Sequence, residues 1–283
     1  NYIRLIFMFN YIHYNYYRII NKLSRITKKK SWSTIPILKS NTYFNSEIQL
    51  FEPHLIGAMT IFKESASLET YKGVIEILNQ LEPEASVSFV QKYISKGINN
   101  FGNSWTYSDI NTVLYAICNL AKIENYLEIG VRRGRSMSIV VSQSKNVNIY
   151  GFDMWIKNYV GAENPGQALV AQEIKKNGHT GQINFIDGDS KKTIPKFFSE
   201  NPDLYFDLIT VDGDHSLSGA KKDLRNVKDR LKIGGILVFD DISSHEHPYL
   251  KRLWEKEIKS KKNFHTYEFT DIGLGVAFAI RKY

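Results

Sequence analysis

From about residue 107 to the end of the chain, short apolar runs alternate with longer stretches in which apolar residues recur at helical spacing. The runs predict seven strands, and the stretches between them predict helices. Short apolar strands separated by helices are typical of a mostly parallel sheet that is covered on both faces, so we predict a doubly wound α/β fold. The predicted strands are 126–129, 148–152, 183–186, 206–211, 236–239, 264–269 and 275–280, and the predicted helices are 109–121, 136–144, 167–176, 191–198, 220–231 and 250–260.

Upstream of residue 104, the pattern changes to helical pieces interrupted by prolines. Residues 71–81 have the apolar spacing of an amphipathic helix, and residues 86–94 predict another. No internal repeat stands out. We therefore predict two parts: residues 1–103, a basic aromatic segment followed by a helical cap, and residues 104–283, which carry the sheet.

The positive charge of the chain is concentrated in its first 40 residues. The 283-residue chain has a formal net charge of +8, and eight Lys and Arg residues precede the first acid, Glu47. The remaining 29 Lys and Arg residues equal the 29 Asp and Glu residues in number. The predicted sheet region is therefore neutral, and we expect no nucleic-acid partner.

Residues 1–30 combine these bases with many aromatic and apolar residues. Two interpretations stay open: the segment packs on the rest of the chain or on a second subunit of a homo-oligomer, or it makes a peripheral contact with an anionic membrane surface. Its longest unbroken apolar run, residues 5–9, is far shorter than the ~20 residues that span a bilayer. No small-residue cleavage site is evident, so we do not expect a secretory signal.

The single cysteine, Cys118, excludes two kinds of site. One cysteine cannot form an intramolecular disulfide or a multi-cysteine metal centre. This usage is typical of a reducing compartment, and we predict a cytoplasmic protein. Leu114, Ile117 and Leu120 accompany Cys118, which predicts a core position for its side chain.

A glycine-containing turn follows the first predicted strand. Residues 127–136 read Leu-Glu-Ile-Gly-Val-Arg-Arg-Gly-Arg-Ser. Glycines let the backbone approach a ligand closely, and the N–H groups at a helix start are free to bind it. Many parallel α/β proteins have such a turn, so it does not identify a ligand by itself. The cofactor contacts predicted here are Glu128, Gly130, Gly134 and Ser136.

Acids also end the second and third predicted strands, at the edge where parallel sheets bind ligands. Asp153 is placed to accept hydrogen bonds from both ribose hydroxyls of a nucleoside held at the glycine turn. Asp189, followed by Ser190, is placed to read an adenine amino group. Asp189 and Ser190 stand just before the predicted helix 191–198, so capping of that helix is an equal alternative for Asp189.

The fourth and fifth predicted strands end in acids that we expect to converge. Asp212 follows the fourth strand, and Asp240 and Asp241 close the fifth. Close carboxylates are costly unless they are protonated or neutralised, and their hard oxygens suit Mg²⁺, Mn²⁺ or Ca²⁺. His215 would reach the same cavity, and imidazole titrates near neutrality, which favours a general base. A turn residue with its ring in solvent is the alternative for His215.

Five segments carry a family resemblance that extends over residues 104–283. They are 126–130 (Tyr-Leu-Glu-Ile-Gly), 151–155 (Gly-Phe-Asp-Met-Trp), 188–190 (Gly-Asp-Ser), 206–216 (Phe-Asp-Leu-Ile-Thr-Val-Asp-Gly-Asp-His-Ser) and 231–241 (Leu-Lys-Ile-Gly-Gly-Ile-Leu-Val-Phe-Asp-Asp). Together they resemble the class I S-adenosylmethionine (SAM) methyltransferases. Within that class they most resemble the metal-dependent macrolide-sugar O-methyltransferases of the mycinamicin and tylosin pathways. The resemblance implies a Rossmann-like sheet, SAM as the cofactor, and Mg²⁺ or Mn²⁺.

The resemblance also implies the roles of the acids after the fourth and fifth strands. In that branch, an acid after the fourth strand and an acidic pair after the fifth hold the metal, which here implies Asp212, Asp240 and Asp241. The proposed base is a His three residues after the first acid, which is His215. Asp212 is also predicted to contact the cofactor and to take part in catalysis. The family pair is often Glu-Asp, whereas this chain has Asp-Asp, which shortens one ligand.

We therefore predict an enzyme that transfers a methyl group from SAM to a hydroxyl of a sugar or glycosylated small molecule, assisted by a divalent metal. One alternative is a metal-independent methyltransferase that acts on a phenol. Another is a non-catalytic SAM-binding or interaction protein. The Asp-Pro-Pro-Tyr and Asn-Pro-Pro-Tyr motifs of base amino methylation are absent from the sequence.

The long connection between the second and third strands predicts a lid over a substrate pocket. Within residues 154–181, the residues suited to such a lid are Trp155, Tyr159, Asn164 and Pro165. An ordinary surface loop is the alternative. The tripeptide 245–247 (His-Glu-His), just after the acidic pair, is interpreted as a solvated turn, with substrate binding as the other reading.

Overall fold

The computed structural model describes residues 35–38, 55–157 and 164–283, and its helices and strands belong to one compact unit, Ile37–Tyr283. The basic segment 1–30, with both interpretations predicted for it, lies outside the described residues. The helices are α1 (Ala58–Ser65), α2 (Leu68–Gln80), α3 (Ala85–Phe101), α4 (Ile110–Leu120), α5 (Arg135–Gln143), α6 (Gln167–Lys176), α7 (Ser190–Glu200), α8 (Leu217–Val227) and α9 (Tyr249–Trp254). The strands are β1 (Asn125–Ile129), β2 (Asn148–Asp153), β3 (Ile183–Asp187), β4 (Phe206–Val211), β5 (Leu231–Asp240), β6 (Phe264–Phe269) and β7 (Val276–Arg281).

The strands form one sheet in the order β3-β2-β1-β4-β5-β7-β6. Strands β1 to β5 run parallel to one another, and β7 runs antiparallel to both β5 and β6. Ile129 pairs with Phe152 on one side and with Val211 on the other, so β1, β2 and β4 end level with one another. The strand order reverses between β1 and β4, and this switch point is where such sheets bind ligands. The predicted seven-stranded, Rossmann-like α/β fold is confirmed.

Both faces of the sheet are buried, because alternate residues of a strand enter different apolar clusters. On β4, Leu208 lies in one cluster and Ile209 in the other. Residues of α4, α5 and α6 complete the first cluster, and residues of α7, α8 and α9 complete the second. This double coverage explains why the parallel strands read as continuous apolar runs in the sequence.

The helices upstream of residue 104 share the first cluster with the sheet. Ile61 of α1, Val74 of α2 and Ile94 of α3 are completely buried there together with Leu208. The two helices predicted in this part are found as α2 and α3, with α3 extending further than the pattern indicated. A common core therefore joins these helices to the sheet, while the predicted division after residue 103 stays a prediction.

One predicted strand begins too late. The pattern places the fifth strand at 236–239 with a glycine pair before it, whereas β5 begins at Leu231 and contains both glycines. A Cβ atom on Gly235 would lie 2.9 Å from the Lys232 carbonyl oxygen and 3.0 Å from that of Phe206. The pairing of β4 with β5 shifts register at this point. Glycine therefore allows a bulge inside the strand and does not mark its start.

Two predicted helices end earlier than expected. The helix predicted at 220–231 stops at Val227 and is followed by the 3₁₀ turn Lys228–Arg230. The helix predicted at 250–260 divides into α9 and a π-helical turn, Glu255–Lys259. None of the helices in the described ranges is long and apolar enough to cross a membrane.

Candidate active site

The turn between β1 and α5, residues 130–134, is called the cofactor turn below. Gly130 has a φ of +90°, and a Cβ atom built on it would lie 2.0 Å from the carbonyl oxygen of Asp212. The Gly130 N–H donates to the carbonyl of Phe152 at 2.9 Å, and the Asp212 N–H donates to that of Ile129 at 2.9 Å. Because the backbones beyond β1 and β4 nearly touch, only glycine fits at position 130.

The second glycine of the turn fixes the start of α5. Gly134 is the residue before the helix, with a left-handed φ of +73°. A Cβ atom there would lie 2.6 Å from the Cγ1 atom of Val170 in α6. The two glycines of the turn are therefore explained by two close contacts: Gly130 lies against the backbone after β4, and Gly134 lies against a side chain of α6.

The Asp153 carboxylate links the cofactor turn to the segment after β2. Its Oδ2 atom accepts the Arg132 N–H at 2.8 Å, and its Oδ1 atom accepts the Trp155 N–H at 2.6 Å. Both donors have left-handed backbones, with φ of +49° at Arg132 and +52° at Trp155. A carboxylate oxygen can accept more than one hydrogen bond, so both oxygens of Asp153 keep acceptor capacity for a ligand. The structure thus places Asp153 beside the cofactor turn, and its ribose contact stays a prediction.

Glu128 is the penultimate residue of β1, two residues before Gly130, and its side chain is fully buried. The Tyr126 hydroxyl donates to its Oε2 atom at 2.6 Å, and the Ser136 hydroxyl donates to its Oε1 atom. The pKa of Glu128 is raised to about 8, mainly by burial, with smaller contributions from the charges of Asp212 and Asp153, while the hydrogen bonds from Ser136 and Tyr126 act in the opposite direction. The hydrogen bond from Ser136 ties the start of α5 to β1. Cofactor contacts by Glu128 and Ser136 stay predictions.

Asp189, two residues after β3, caps helix α7, which is one of the two roles predicted for it. Asp189 stands at the start of α7, where its Oδ1 atom accepts the Lys191 N–H at 3.0 Å. The adenine contact of Asp189 stays a prediction beside this cap, since the side chain is only partly buried. Ser190 donates its hydroxyl to the Oδ1 atom of Asp223 at 2.7 Å. Asp223 of α8 is fully buried, and burial raises its pKa to about 6.

Two carboxylates and an imidazole converge beyond β4 and β5. Asp212, His215 and Asp241 each offer one atom to a group in which all atoms lie within 4.8 Å of one another. The Nε2 atom of His215 is 3.3 Å from Oδ1 of Asp212 and 3.6 Å from Oδ2 of Asp241. All three side chains are about a fifth exposed. The structure therefore brings together three of the four residues predicted for this side of the site.

The carboxyl group of Asp240 does not belong to that group of atoms. Asp240 is the last residue of β5, and the left-handed backbone of Asp241, with a φ of +60°, turns the chain away from the strand. The predicted role of Asp240 as a metal ligand stays a prediction.

Negative charge accumulates on this side of the site. Burial, with the charge of Asp212, raises the pKa of Asp241 to about 6 and that of Asp240 well above its ordinary range. The hydrogen bond to Asp212 raises the pKa of His215, although burial opposes the shift. The charges of His215 and Arg135 act in the other direction on Asp241. The arrangement thus favours protonation or a bound cation.

A tyrosine that the sequence analysis did not single out supports His215. The Tyr249 hydroxyl donates to the His215 carbonyl oxygen at 2.8 Å and lies 3.1 Å from the Nδ1 atom of His247. The rings of His215 and His247 lie 5.2 Å apart. Of the tripeptide 245–247, the first two residues are exposed, and His247 faces the site.

The start of the predicted lid lies beside the Asp153 side of the site. The Trp155 indole packs edge-on against the Phe185 ring, with centroids 5.5 Å apart. Its buried Nε1 atom has no hydrogen-bond partner among the described residues. Asn164 accepts the Gly166 N–H at 3.2 Å just before α6. Tyr159 lies outside the described residues, so the lid stays a prediction.

Comparisons with known proteins give one family match. Residues 127–242 match the family Methyltransf_24, described as a methyltransferase domain. A search of curated proteins gives no match. The match covers the cofactor turn and the ends of β2, β3, β4 and β5.

Several solved structures of methyltransferases are similar to this chain. They include the O-methyltransferase TomG from Streptomyces achromogenes (13% identity, 80% of this chain and 97% of that chain, TM-score 0.49), CalS11, a TDP-rhamnose 3'-O-methyltransferase (17%, 75% and 93%, 0.48), and the methyltransferase PaMTH1 from Podospora anserina (15%, 80% and 94%, 0.47). The fold assignment rests on the strand order and not on these likenesses. The family match agrees with the predicted enzyme class: residues 127–242, less than half of the chain, are similar to a methyltransferase domain.

Proposed function

We propose that this chain is a SAM-dependent O-methyltransferase that methylates a hydroxyl of a sugar or glycosylated small molecule with the help of a divalent cation. One observation carries the proposal. The Asp212 backbone meets the cofactor turn at Gly130, while the Asp212 side chain lies against His215 and Asp241. A cofactor held by the turn would therefore be next to a base and two carboxylates.

The cofactor would be held at the ends of β1, β2 and β3. Asp153 has acceptor capacity left for the ribose hydroxyls after binding the N–H groups of Arg132 and Trp155. Asp189 and Ser190 would face the adenine. SAM supplies a methyl group that is already activated on a sulfonium, so the protein must align the acceptor and deprotonate it.

The carboxylates beyond β4 and β5 fit a hard divalent cation. Asp212 and Asp241 offer oxygen atoms within 4.8 Å of each other, and Mg²⁺ commonly binds through one or two carboxylates and several waters. Burial, and then the charge of Asp212, raises the pKa values of Asp240 and Asp241, and a bound cation would favour their ionised forms. When bound, such a cation stabilises negative charge on an acceptor oxygen.

His215 would accept the acceptor's proton. Its Nε2 atom lies between the two carboxylates, at 3.3 Å from Asp212 and 3.6 Å from Asp241. Tyr249 fixes the backbone of His215, and the carboxylates favour the charged imidazolium that proton transfer would produce. The choice of a sugar as the methyl acceptor rests on the sequence resemblance, which is strongest with the macrolide-sugar branch.

A metal-independent enzyme acting on a phenol is the second candidate. The contact between His215 and Asp212 supports it, because an imidazole oriented by a carboxylate can deprotonate a phenol without a cation. A phenol has a pKa of about 10, whereas an alcohol is a much weaker acid. Removal of divalent ions with EDTA separates the two candidates.

Calorimetric titration with SAM and then with Mg²⁺ tests the proposal. We expect the wild-type chain to bind both, and Asp241→Asn to keep SAM binding and lose the Mg²⁺ heat. Asp203→Asn is the matched control, because Asp203 is an exposed acid before the other end of β4. Failure of the folded wild type to bind SAM would overturn the proposed function. SAM binding and activity that survive EDTA would favour the phenol candidate.

A further inference from the structure

A carboxylate from outside the sheet contacts both arginines of the cofactor turn, Arg132 and Arg133. Glu84 lies in the connection between α2 and α3, and its Oε1 atom is 2.8 Å from Nη2 of Arg132. Its Oε2 atom is 3.9 Å from Nε of Arg133. The Glu84 side chain is only 14% exposed, so the contact is screened less than a surface ion pair.

The placement of Glu84 is not explained by the helix that it precedes. Glu84 stands at the position before α3, but its side chain makes no capping hydrogen bond. Capping positions are usually occupied by Ser, Thr, Asp or Asn. The carboxylate instead accepts the Ser86 hydroxyl at 2.9 Å and contacts the arginines. Its hydrogen-bonding capacity is thus directed to the cofactor turn.

The residue that Glu84 holds is conformationally unfavourable. Arg132 has a φ of +49°, a left-handed conformation that is unfavourable for a residue with a Cβ atom. In this conformation its backbone N–H reaches the Oδ2 atom of Asp153 at 2.8 Å. Glu84 and Asp153 therefore hold Arg132 from its two ends, the guanidinium and the backbone.

We propose that Glu84 is a positioning residue for the SAM site: by holding the Arg132 guanidinium, it keeps the cofactor turn in the conformation that donates to Asp153. As far as the ligand is concerned, this inference rests on the proposed function. It assigns the helices upstream of residue 104 a task in cofactor binding. The turn between α2 and α3 orders the cofactor turn without touching the ligand.

The same connection supplies a matched control. Glu82 lies two residues before Glu84 and contacts α6, where its Oε1 atom is 3.2 Å from Nζ of Lys176. Both side chains of this pair are about half exposed, and such pairs contribute little. Glu82→Gln therefore makes the same change of charge in the same segment without reaching the cofactor turn.

The test compares Glu84→Gln and Glu82→Gln in the full chain. We expect Glu84→Gln to weaken SAM binding about tenfold by calorimetry, and Glu82→Gln to stay within about twofold of wild type. Because the acids and His215 are untouched, KM for SAM should rise while kcat changes little. Equal Kd values for SAM in the two variants would overturn the inference.

Two further measurements keep the inference separable from the proposed function. Hydrogen exchange of residues 130–135 in the ligand-free protein should be faster in Glu84→Gln, whether or not SAM is the ligand. Unchanged exchange there would contradict the inference, whereas wild type that does not bind SAM would contradict the proposed function alone. Arg132→Gln removes the same ion pair, so the double variant should bind SAM about as weakly as Glu84→Gln alone. If Glu84→Gln does not fold, Arg132→Gln takes its place in the test. Full additivity would count against the inference.

Discussion

The two sides of the candidate site treat their carboxylates differently. Asp153, after β2, receives backbone N–H groups on both oxygens, from Arg132 and Trp155. Asp212 and Asp241, after β4 and β5, lie within 4.8 Å of each other with His215 as the positively ionisable member of their group. One side is supplied with donors by the backbone, and the other gathers like charges.

This difference indicates what each side is prepared to bind. An acceptor held by two N–H groups has a fixed orientation, which suits neutral hydroxyl groups of a ligand. A set of acids whose pKa values burial and mutual repulsion raise is stabilised by a proton or a cation. Gly130 lies where the two sides meet, because its backbone touches that of Asp212.

The largest effect is expected from removing the base on the acidic side. His215→Ala should lower turnover about 10²–10⁴-fold, the usual range for general base catalysis, and leave the SAM Kd unchanged. Steady-state kinetics and calorimetry check the two parts. His245→Ala is the control, since His245 is an exposed residue of the same connection after β5. Full activity of His215→Ala would return His215 to the turn-residue interpretation.

A smaller effect, on binding, is expected on the other side. Asp153→Ala removes the acceptor of the Arg132 and Trp155 N–H groups, and we expect SAM affinity to fall about 10–100-fold. Asp203→Ala is the control, because Asp203 is an exposed acid before the opposite end of β4. Calorimetry that gave the same Kd for Asp153→Ala and wild type would remove Asp153 from the cofactor site.

The fold was predictable because its signals are local. The apolar runs of parallel strands buried on both faces mark β1 to β4 to within a residue or two. The start of β5 was not predictable in this way, since the bulge at Gly235 depends on the carbonyl of Phe206 in another strand. A glycine pair in one sequence does not distinguish a bulge from a turn.

The candidate site was predictable only as far as strand ends define it. Acids after parallel strands share one edge of the sheet, which is why Asp212 and Asp241 were expected together. The separation of Asp240 from this group was not predictable, because the sequence does not show the local backbone after β5, where Asp241 is left-handed. Glu84 and Tyr249 come from distant segments and carry no local signal, so only the folded chain reveals their contacts.

Glu128 sharpens the comparison, because it lies between the two sides and responds to the charges of both Asp153 and Asp212. Its pKa is raised from 4.5 to about 8 in the folded chain, mainly by burial. Between those values the folded state keeps a proton that the unfolded state has lost. The free energy of unfolding therefore decreases as pH rises through this window, by up to about 1.4 kcal/mol per pH unit.

Glu128→Gln should remove this loss, since a neutral amide does not titrate. Urea unfolding at about pH 5 and about pH 8 should show wild type losing more stability between the two than Glu128→Gln does. Glu200→Gln, an exposed position in α7, is the control and should follow wild type. Parallel pH dependences for wild type and Glu128→Gln would mean that Glu128 is already ionised in the folded chain. Negative charge would then run from Asp212 and Asp241 through Glu128 to Asp153. The two sides of the site would no longer differ in how they hold charge.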